Sequence, residues 1–145
     1  MNREQAIEKS VGAIKTYKDL KVWQKAFELT LQIIEFIDAF PRQIVFNVVF
    51  VQLLRSVTSI GANIAEGYGS FSRKEYRRYL GIALKSAYET DNWLMIVKHS
   101  KVFQKVAKVP NSSSGIHPVK KKVEGFEKAN IEIIKMLIAL MKKLK

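Results

Sequence analysis

Apolar residues recur every three or four positions along most of this chain, and that spacing restricts its fold more than any other feature. Residues spaced in this way fall on one face of an α-helix, so each such segment must bury that face against another helix. The last segment keeps the spacing throughout, at Val123, Phe126, Asn130, Ile133, Leu137, Leu140 and Leu144. Asn130 is the one polar residue of this coiled-coil-like seam.

Four such segments are predicted, at about residues 19–38, 42–66, 73–105 and 119–144. The first carries two apolar stripes, one containing Trp23 and Phe27 and the other Ala26 and Ile33. The second opens with IVFNVVFV, which resembles a strand locally, but its length and continuing period favour a helix. Apolar residues surround this half, so we expect burial on two sides, one of which another subunit could supply.

The sequence therefore predicts an all-α protein, an antiparallel up-and-down four-helix bundle over residues 17–145 with residues 1–16 as an N-terminal extension. Gly67 and Gly69 are predicted to end the second helix. Ser72 and Glu75 are spaced as a capping box, and Phe71 and Tyr76 as a hydrophobic staple. The turn-forming segment Pro110–Pro118 is predicted to be an exposed linker.

Composition argues against several classes of protein. Without cysteine the chain has no disulfides and no thiolate chemistry, which suits a reducing cytoplasm. The charged N-terminus lacks the apolar core of a signal peptide. The apolar run between Arg42 and Arg55 is shorter than the roughly 18–20 residues that cross a bilayer. We expect a cytoplasmic protein with no membrane partner.

Catalytic and metal-binding patterns are weak. The two histidines, His99 and His117, lack the Glu-x-x-His spacing of bundle di-iron sites. No nucleophile elbow or glycine-rich phosphate loop is present. Glu66 and Glu89 could form a carboxylate pair, as in a nuclease, although a structural pairing with Arg and Ser explains them better. We expect no catalytic residue, no metal site and no cofactor.

The net charge of +12 is unevenly distributed. Residues 1–67 have a net charge of +1, whereas residues 68–145 have +11. Such asymmetry indicates a polyanionic partner such as nucleic acid, the alternative being a lysine-rich surface that maintains solubility.

The most specific basic group opens the third predicted helix. Cations in a first turn oppose the helix macrodipole, and phosphate binding would explain their presence. Tyr68 and Phe71 could stack on bases, although for Phe71 the staple is the simpler interpretation. The candidate nucleic-acid-binding residues are Arg73, Lys74, Arg77, Arg78 and Lys85. Weaker candidates are Lys98, Lys101, Lys105, Lys108 and Lys120–Lys122.

A polar stripe accompanies the apolar face of the second helix. Its members, at spacings of three and four, are Gln52, Arg55, Ser59, Asn63 and Glu66. We expect a buried network, joined by Ser86 and Glu89 of the third helix, that sets helix register. A ligand site and plain exposure are the alternatives.

These residues resemble one known family. YKDLKVWQKA (Tyr17–Ala26), Pro41, the polar stripe ending in Asn-Ile-Ala-Glu-Gly (Asn63–Gly67), SRKEYRRYL (Ser72–Leu80) and Ser86-x-x-Glu89 are similar to the proteins encoded in intervening sequences of bacterial 23S ribosomal RNA genes. Those proteins were formerly called S23 ribosomal proteins. The accessory variability protein of diversity-generating retroelements is a relative. The resemblance covers about residues 17–102.

The resemblance implies an up-and-down four-helix bundle that assembles into a ring-like homopentamer without established enzymatic activity. For the retroelement relative it implies a basic surface that engages reverse transcriptase and nucleic acid. It also implies fold and assembly roles for Gln52, Arg55, Ser59, Asn63, Glu66, Gly67, Ser86 and Glu89. IVFNVVFV departs from the family's usual charged residues. We therefore expect a self-assembling nucleic-acid-binding protein, or else an accessory subunit that binds a protein such as a reverse transcriptase.

Overall fold

The computed structural model describes residues 14–106 and 118–145. Four long helices account for most of them: α1 (Lys21–Asp38), α2 (Ile44–Tyr68), α3 (Arg73–His99) and α5 (Pro118–Lys143). A single-turn helix, α4 (Lys101–Gln104), follows α3. The described residues contain no strand, which confirms the predicted all-α class.

Contacts between helices show that successive long helices run antiparallel. Thr30 Oγ1 of α1 lies 3.4 Å from the Val57 carbonyl of α2, and the Phe40 and Phe46 rings meet where these two helices are joined. From α2 to α3, Ser59 faces Ser86, and Ser56, one turn earlier, faces Thr90, one turn later. Because later residues of one helix contact earlier residues of the next, consecutive helices run in opposite directions.

The fourth long helix closes the bundle. Asn130 of α5 donates a 2.8 Å hydrogen bond to the Ala87 carbonyl of α3. Met141 lies beside Gly81, so α5 runs antiparallel to α3. On its other side α5 contacts α1, where the Phe36 and Phe126 rings are 5.4 Å apart. The helices thus pack in the order α1, α2, α3, α5 and back to α1.

The predicted buried faces form the core, with one correction. The stripe of α1 that contains Ala26 and Ile33 is buried, as is the seam of α5 through Leu137. The other stripe of α1 is only partly covered: Trp23 packs over Gly61, but Phe27 and Ile34 are exposed. Both predicted stripes are present, but the second is covered only at its two ends, where Trp23 and Ile37 pack against the core.

Rings fill one end of the core, where α1 ends and α2 begins. The centroids of Phe40 and Phe50 are 4.9 Å apart, and Phe103 of α4 lies 5.0 Å from Phe46. Edge-to-face arrangements of this kind contribute beyond the area that they bury. The IVFNVVFV segment is helical because two of its phenylalanines, four residues apart, belong to this cluster.

Helix ends differ from the predicted boundaries where local hydrogen bonds decide them. The third helix was predicted to reach residue 105, but it ends at His99, and Ser100 is extended with ψ of 122°. Gln104 of α4 folds back and donates to the carbonyls of Val97 and Lys98, which the helix end leaves free.

The other boundaries shift by a turn or less. Thr16 caps a 3-10 turn, Tyr17–Asp19, before α1. Backbone N–H groups of Thr16 and Lys15 donate to the Asp19 carboxylate, which lowers the pKa of that group. The first thirteen residues of the predicted extension, and residues 110–117 of the predicted linker, lie outside the described residues. Pro118 is the first residue of α5, a position where proline fits a helix.

Candidate nucleic-acid interface

The turn between α2 and α3 holds the two helices unusually close. A Cβ at Gly67 would lie 2.8 Å from Tyr79 Cβ and 3.0 Å from Tyr76 Cδ2, a separation that only glycine permits. Gly69 ends α2: its N–H donates to the Ala65 carbonyl, and the N–H of Ser70 donates to the Gly67 carbonyl. The predicted roles of both glycines at the end of this helix are confirmed.

The start of α3 confirms half of the predicted cap. Ser72 Oγ accepts from the Glu75 N–H at 3.1 Å, as an N-cap should. Glu75 makes no return bond to Ser72, and its carboxylate lies 3.9 Å from Arg78 instead. The cap is therefore a simple serine cap and not a capping box.

The predicted hydrophobic staple is absent. Phe71 has a relative exposure of 104%, so its ring is fully in solvent. Tyr76, its expected partner, packs edge-on against Tyr68, with 6.4 Å between ring centroids. Burial, and then the neighbouring Tyr68, raise the pKa of Tyr76. Tyr68 therefore packs on Tyr76 where the predicted staple had Phe71.

The basic residues at the start of α3 meet the end of α5. Arg73 donates to the carbonyl of Lys143 at 3.1 Å, which brings Lys142 and Lys143 beside the first turn of α3. We call this surface the basic end. It consists of Arg73, Lys74, Arg77, Arg78, Lys85, Lys142, Lys143 and Lys145.

The cations of the basic end have few acids to neutralise them. Residues 68–85 and 140–145 contain eight Lys or Arg residues and one acidic residue, Glu75. Lys74, Arg78 and Lys85 are exposed along one side of α3. Arg77 is half-buried, and its Nε has no hydrogen-bond partner among the described residues. The structure therefore brings all five predicted residues to one helix, with a second basic helix end beside it.

Cations at the opposite end of the bundle are arranged differently. Lys98, one of the weaker candidates, is largely buried and lies 3.2 Å from Glu127 and 3.9 Å from Glu124 of α5. Lys101 and Lys105 are exposed, as are Lys120–Lys122. Lys108 lies outside the described residues. Part of the positive charge at this end is thus balanced within the bundle.

The predicted polar network forms with fewer members than expected. Ser86 Oγ donates to Ser59 Oγ at 3.0 Å, and Asn63 Nδ2 donates to the Ser59 carbonyl and Oγ. A second, fully buried pair that the sequence did not single out joins Thr90 and Ser56 at 3.0 Å. These short hydroxyls let α2 and α3 approach closely and fix their register.

The remaining members of the predicted network stand outside it. Among the described residues, Gln52, Arg55, Glu66 and Glu89 make no hydrogen bond or ion pair. Arg55, Glu66 and Glu89 are exposed. The prediction that they join a buried network was wrong, because they lie toward the outer edges of the two helices.

The carboxylate pair considered from the sequence does not form. Because Ser59 faces Ser86, Glu66 lies level with about Tyr79, ten residues from Glu89. At about 1.5 Å per residue that is a separation of about 15 Å along the helix axis. The described residues contain no group of three or more His, Asp or Glu that could hold a metal ion.

The outer face of α2 is apolar in its first half. Ile44 is 79% exposed, and Val45, Val48 and Val51 are exposed as well. By length and composition α2 is long and apolar enough to cross a membrane, a property that core helices of bundles share. Its inner face packs on α1 and α3, with Leu53 and Ile60 fully buried.

Two comparisons define the family of this fold. The family model of the 23S rRNA-intervening sequence proteins matches residues 18–125. This chain belongs to that family. A crystal structure of a protein of unknown function from the S23 ribosomal protein family of Bacteroides thetaiotaomicron is similar to it, with 30% identity and a TM-score of 0.67. That match covers 83% of this chain and 98% of the other chain. A search of curated proteins gave no match.

For this member of the 23S rRNA-intervening sequence family, the sequence analysis preferred a staple for Phe71 to its alternative, base stacking. It overlooked Lys142, Lys143 and Lys145, because they are distant in sequence from Arg73. The antiparallel order of helices in a bundle could have revealed the lysines, since the last helix must end where the third begins. No local signal distinguishes an exposed Phe71 from a packed one.

Proposed function

We propose that this protein binds nucleic acid through the basic end. The observation that carries the proposal is the meeting of Arg73 and Lys143, which joins the basic start of α3 to the basic end of α5. The two segments that form it, residues 68–85 and 140–145, contain eight cations and one acid, Glu75. A dense positive surface of this kind suits a phosphate backbone, because each contact releases a condensed counterion.

The exposed side of α3 supports contact with a backbone. Lys74 and Arg78 stand one turn apart, and Lys85 continues the same side two turns further. Four residues of helix span about 6 Å, close to the spacing of successive phosphates. The ion pair between Arg78 and Glu75 is long and solvent-exposed, so it can be exchanged for a phosphate at little cost.

A salt titration with matched charge variants tests the proposal. The variant Lys74→Gln with Arg78→Gln removes two charges from the basic end, and Lys120→Gln with Lys121→Gln removes two from the opposite end. We expect the first variant to bind a labelled oligonucleotide more weakly and to reduce the slope of log K against log salt by about 0.7–0.9 per lost contact. The second variant should bind like the wild type.

Two results would contradict the proposal. Equal weakening by both variants would mean that only overall charge matters. Failure of the wild type to bind at physiological salt would favour the accessory-subunit alternative, in which a protein partner co-purifies after nuclease treatment. In that case the positive charge would serve to steer association.

We further propose that copies of this chain self-assemble through the exposed face shared by α1 and α2. This face, the apolar face hereafter, consists of Phe27, Leu31, Ile34, Ile44, Val45, Val48 and Val51. Exposed apolar groups of this number are typical of a buried interface.

The charge distribution supports a second copy as the occupant. Residues 17–67, which contain α1 and α2, hold five cations and five acids. Two copies with a net charge of +12 repel each other elsewhere, but not across this neutral half. Arg55 and Glu66 lie on the outer side of α2 and have no partner among the described residues. Arg55 of one copy can therefore pair with Glu66 of another. In such an assembly the basic ends remain exposed for nucleic acid.

A further inference from the structure

We infer that the nucleic acid taken by the basic end is single-stranded, and that Phe71 is the residue on which an unpaired base stacks. This inference rests on the proposed function and names its substrate class. It starts from the exposure of Phe71, which the local sequence pattern does not predict.

A fully exposed phenylalanine is costly to keep. Phe71 has no ring partner among the described residues, although Tyr76, five residues later, was available as a staple. Burial of a phenylalanine side chain normally stabilises a fold, so the protein forgoes that gain at this position. The ring is therefore free to be covered by a partner.

The surroundings of Phe71 show what that partner is. The ring precedes Arg73 and Lys74 by two and three residues, and Arg73 contacts the basic end of α5. Proteins that bind single strands combine exposed rings for the bases with cations for the backbone. A partner protein with an apolar pocket would have no use for so many cations, and it would have to neutralise them.

The other rings near this end are already occupied. Tyr68 and Tyr76 pack against each other, and the guanidinium of Arg78 lies 4.5 Å from the centre of the Tyr79 ring. Phe71 is the one ring of this turn with both faces free. In a duplex the faces of the bases are covered by their neighbours, so a ring on a convex turn can reach only unpaired bases.

The experiment compares Phe71→Ala, Phe71→Trp and the wild type in fluorescence anisotropy with three labelled probes. These are oligouridine, oligothymidine and a DNA duplex of the same length. We expect the wild type to prefer the single strands and Phe71→Ala to weaken that binding about tenfold or more, the effect of losing one base–aromatic stack. Phe71→Trp keeps an aromatic ring, so it should bind the single strands about as tightly as the wild type. The fluorescence of its added indole should be quenched on binding. The two single-stranded probes separate RNA from DNA as the source.

The controls separate stacking from charge and from folding. Phe71→Ala should leave the salt slope unchanged, because a stacked base contributes no counterions, whereas Arg73→Gln should lower it. Tyr88→Ala removes another exposed ring of α3 and should bind like the wild type. Because Phe71 is fully exposed, its variants should melt at the wild-type temperature.

The inference and the proposed function fail in different ways. If Phe71→Ala binds single strands as tightly as the wild type, or if the duplex binds equally well, the inference is overturned while the basic end stands. If no probe binds in a salt-dependent manner, the proposed nucleic-acid binding itself is overturned. A change in oligomeric state in Phe71→Ala would assign the ring to a subunit contact and overturn the inference.

Discussion

At the scale of single residues, Gly67 shows how close packing of two helices can require a glycine. Helices α2 and α3 converge on their turn, and the backbone and side chain of Tyr76 and Tyr79 occupy the space that a Cβ would need. Tyr79 Cβ is attached directly to the helix backbone, so it cannot move aside without displacing α3. Close approach, and not backbone conformation, requires this glycine, because Gly67 is an ordinary helical residue of α2.

Gly67→Ala should therefore destabilise the bundle. We expect a loss of about 1–3 kcal/mol in the free energy of unfolding, the usual cost of overpacking. Gly125→Ala is the matched control, because a Cβ at that exposed position of α5 meets no atom within 4 Å. It should stabilise the helix by about 0.5–1 kcal/mol. Urea denaturation measures both, and equal stability of the two variants would refute the argument from close approach.

The buried phenol of Tyr76 makes the stability of the same turn depend on pH. Burial favours the neutral phenol and raises its pKa above 10.0, the ordinary value. The folded state therefore holds this proton more tightly than the unfolded state, so the contribution to stability is complete below pH of about 10 and is lost as the pH rises further.

Tyr76→Phe should show this effect directly. At pH 7 we expect little difference from the wild type, because both rings are neutral. Above pH of about 10 the variant should lose less stability than the wild type, since it has no phenol to ionise. Thermal melts over that pH range provide the measurement. A wild type and variant that lose stability in parallel would show that the phenol does not contribute.

At the scale of whole helices, the polar residues within the core specify how the elements align. Asn130 is fully buried in the seam of α5, and its amide donates to the Ala87 carbonyl of α3. Its Oδ1 is buried and has no hydrogen-bond partner among the described residues. A half-satisfied polar group of this kind lowers stability but favours one register over its neighbours.

Asn130→Leu should thus raise the free energy of unfolding by about 1 kcal/mol, because it removes the unpaired oxygen and fills the seam. Asn130→Ala leaves a cavity and should be less stable than Asn130→Leu. Chemical denaturation of both variants is the measurement. A leucine variant less stable than the wild type would mean that the amide hydrogen bond to Ala87 outweighs the unpaired oxygen.

At the scale of the whole molecule, the bundle separates charge from apolar surface. The neutral half contains α1, α2 and the apolar face, whereas the excess positive charge belongs to α3, α5 and the segment between them. The two proposed contacts, with further copies and with a polyanion, would therefore use different surfaces and would not compete.

The variant Val48→Glu tests the assembly. A carboxylate in the centre of the apolar face should shift the protein to monomers, because it would be buried without a partner. Ile131→Glu is the control, since that residue is similarly exposed but lies on α5. Sedimentation equilibrium and circular dichroism would report mass and folding. A Val48→Glu variant with the same mass as the wild type would exclude this face, as would a monomeric wild type.

Much of the fold could be predicted from the sequence because helical periodicity is a local property. The spacing of Val123, Phe126 and Ile133 identifies their helix and its buried face without any knowledge of the neighbours. The capping serine, Ser72, and the glycines of the turn are local signals too. The basic residues of α3 could be found in the same way, as an unfavourable charge near a helix start.

The tertiary structure alone decided which surfaces remained free. Whether Phe71 or Tyr68 packs on Tyr76 depends on the path of the chain between two helices, so the spacing of a staple could not settle it. The pairing of Ser56 with Thr90 and the meeting of Arg73 with Lys143 each depend on contacts distant in sequence. Helical periodicity and charge are local properties of the sequence, whereas the exposure of a side chain depends on how the four helices cover one another.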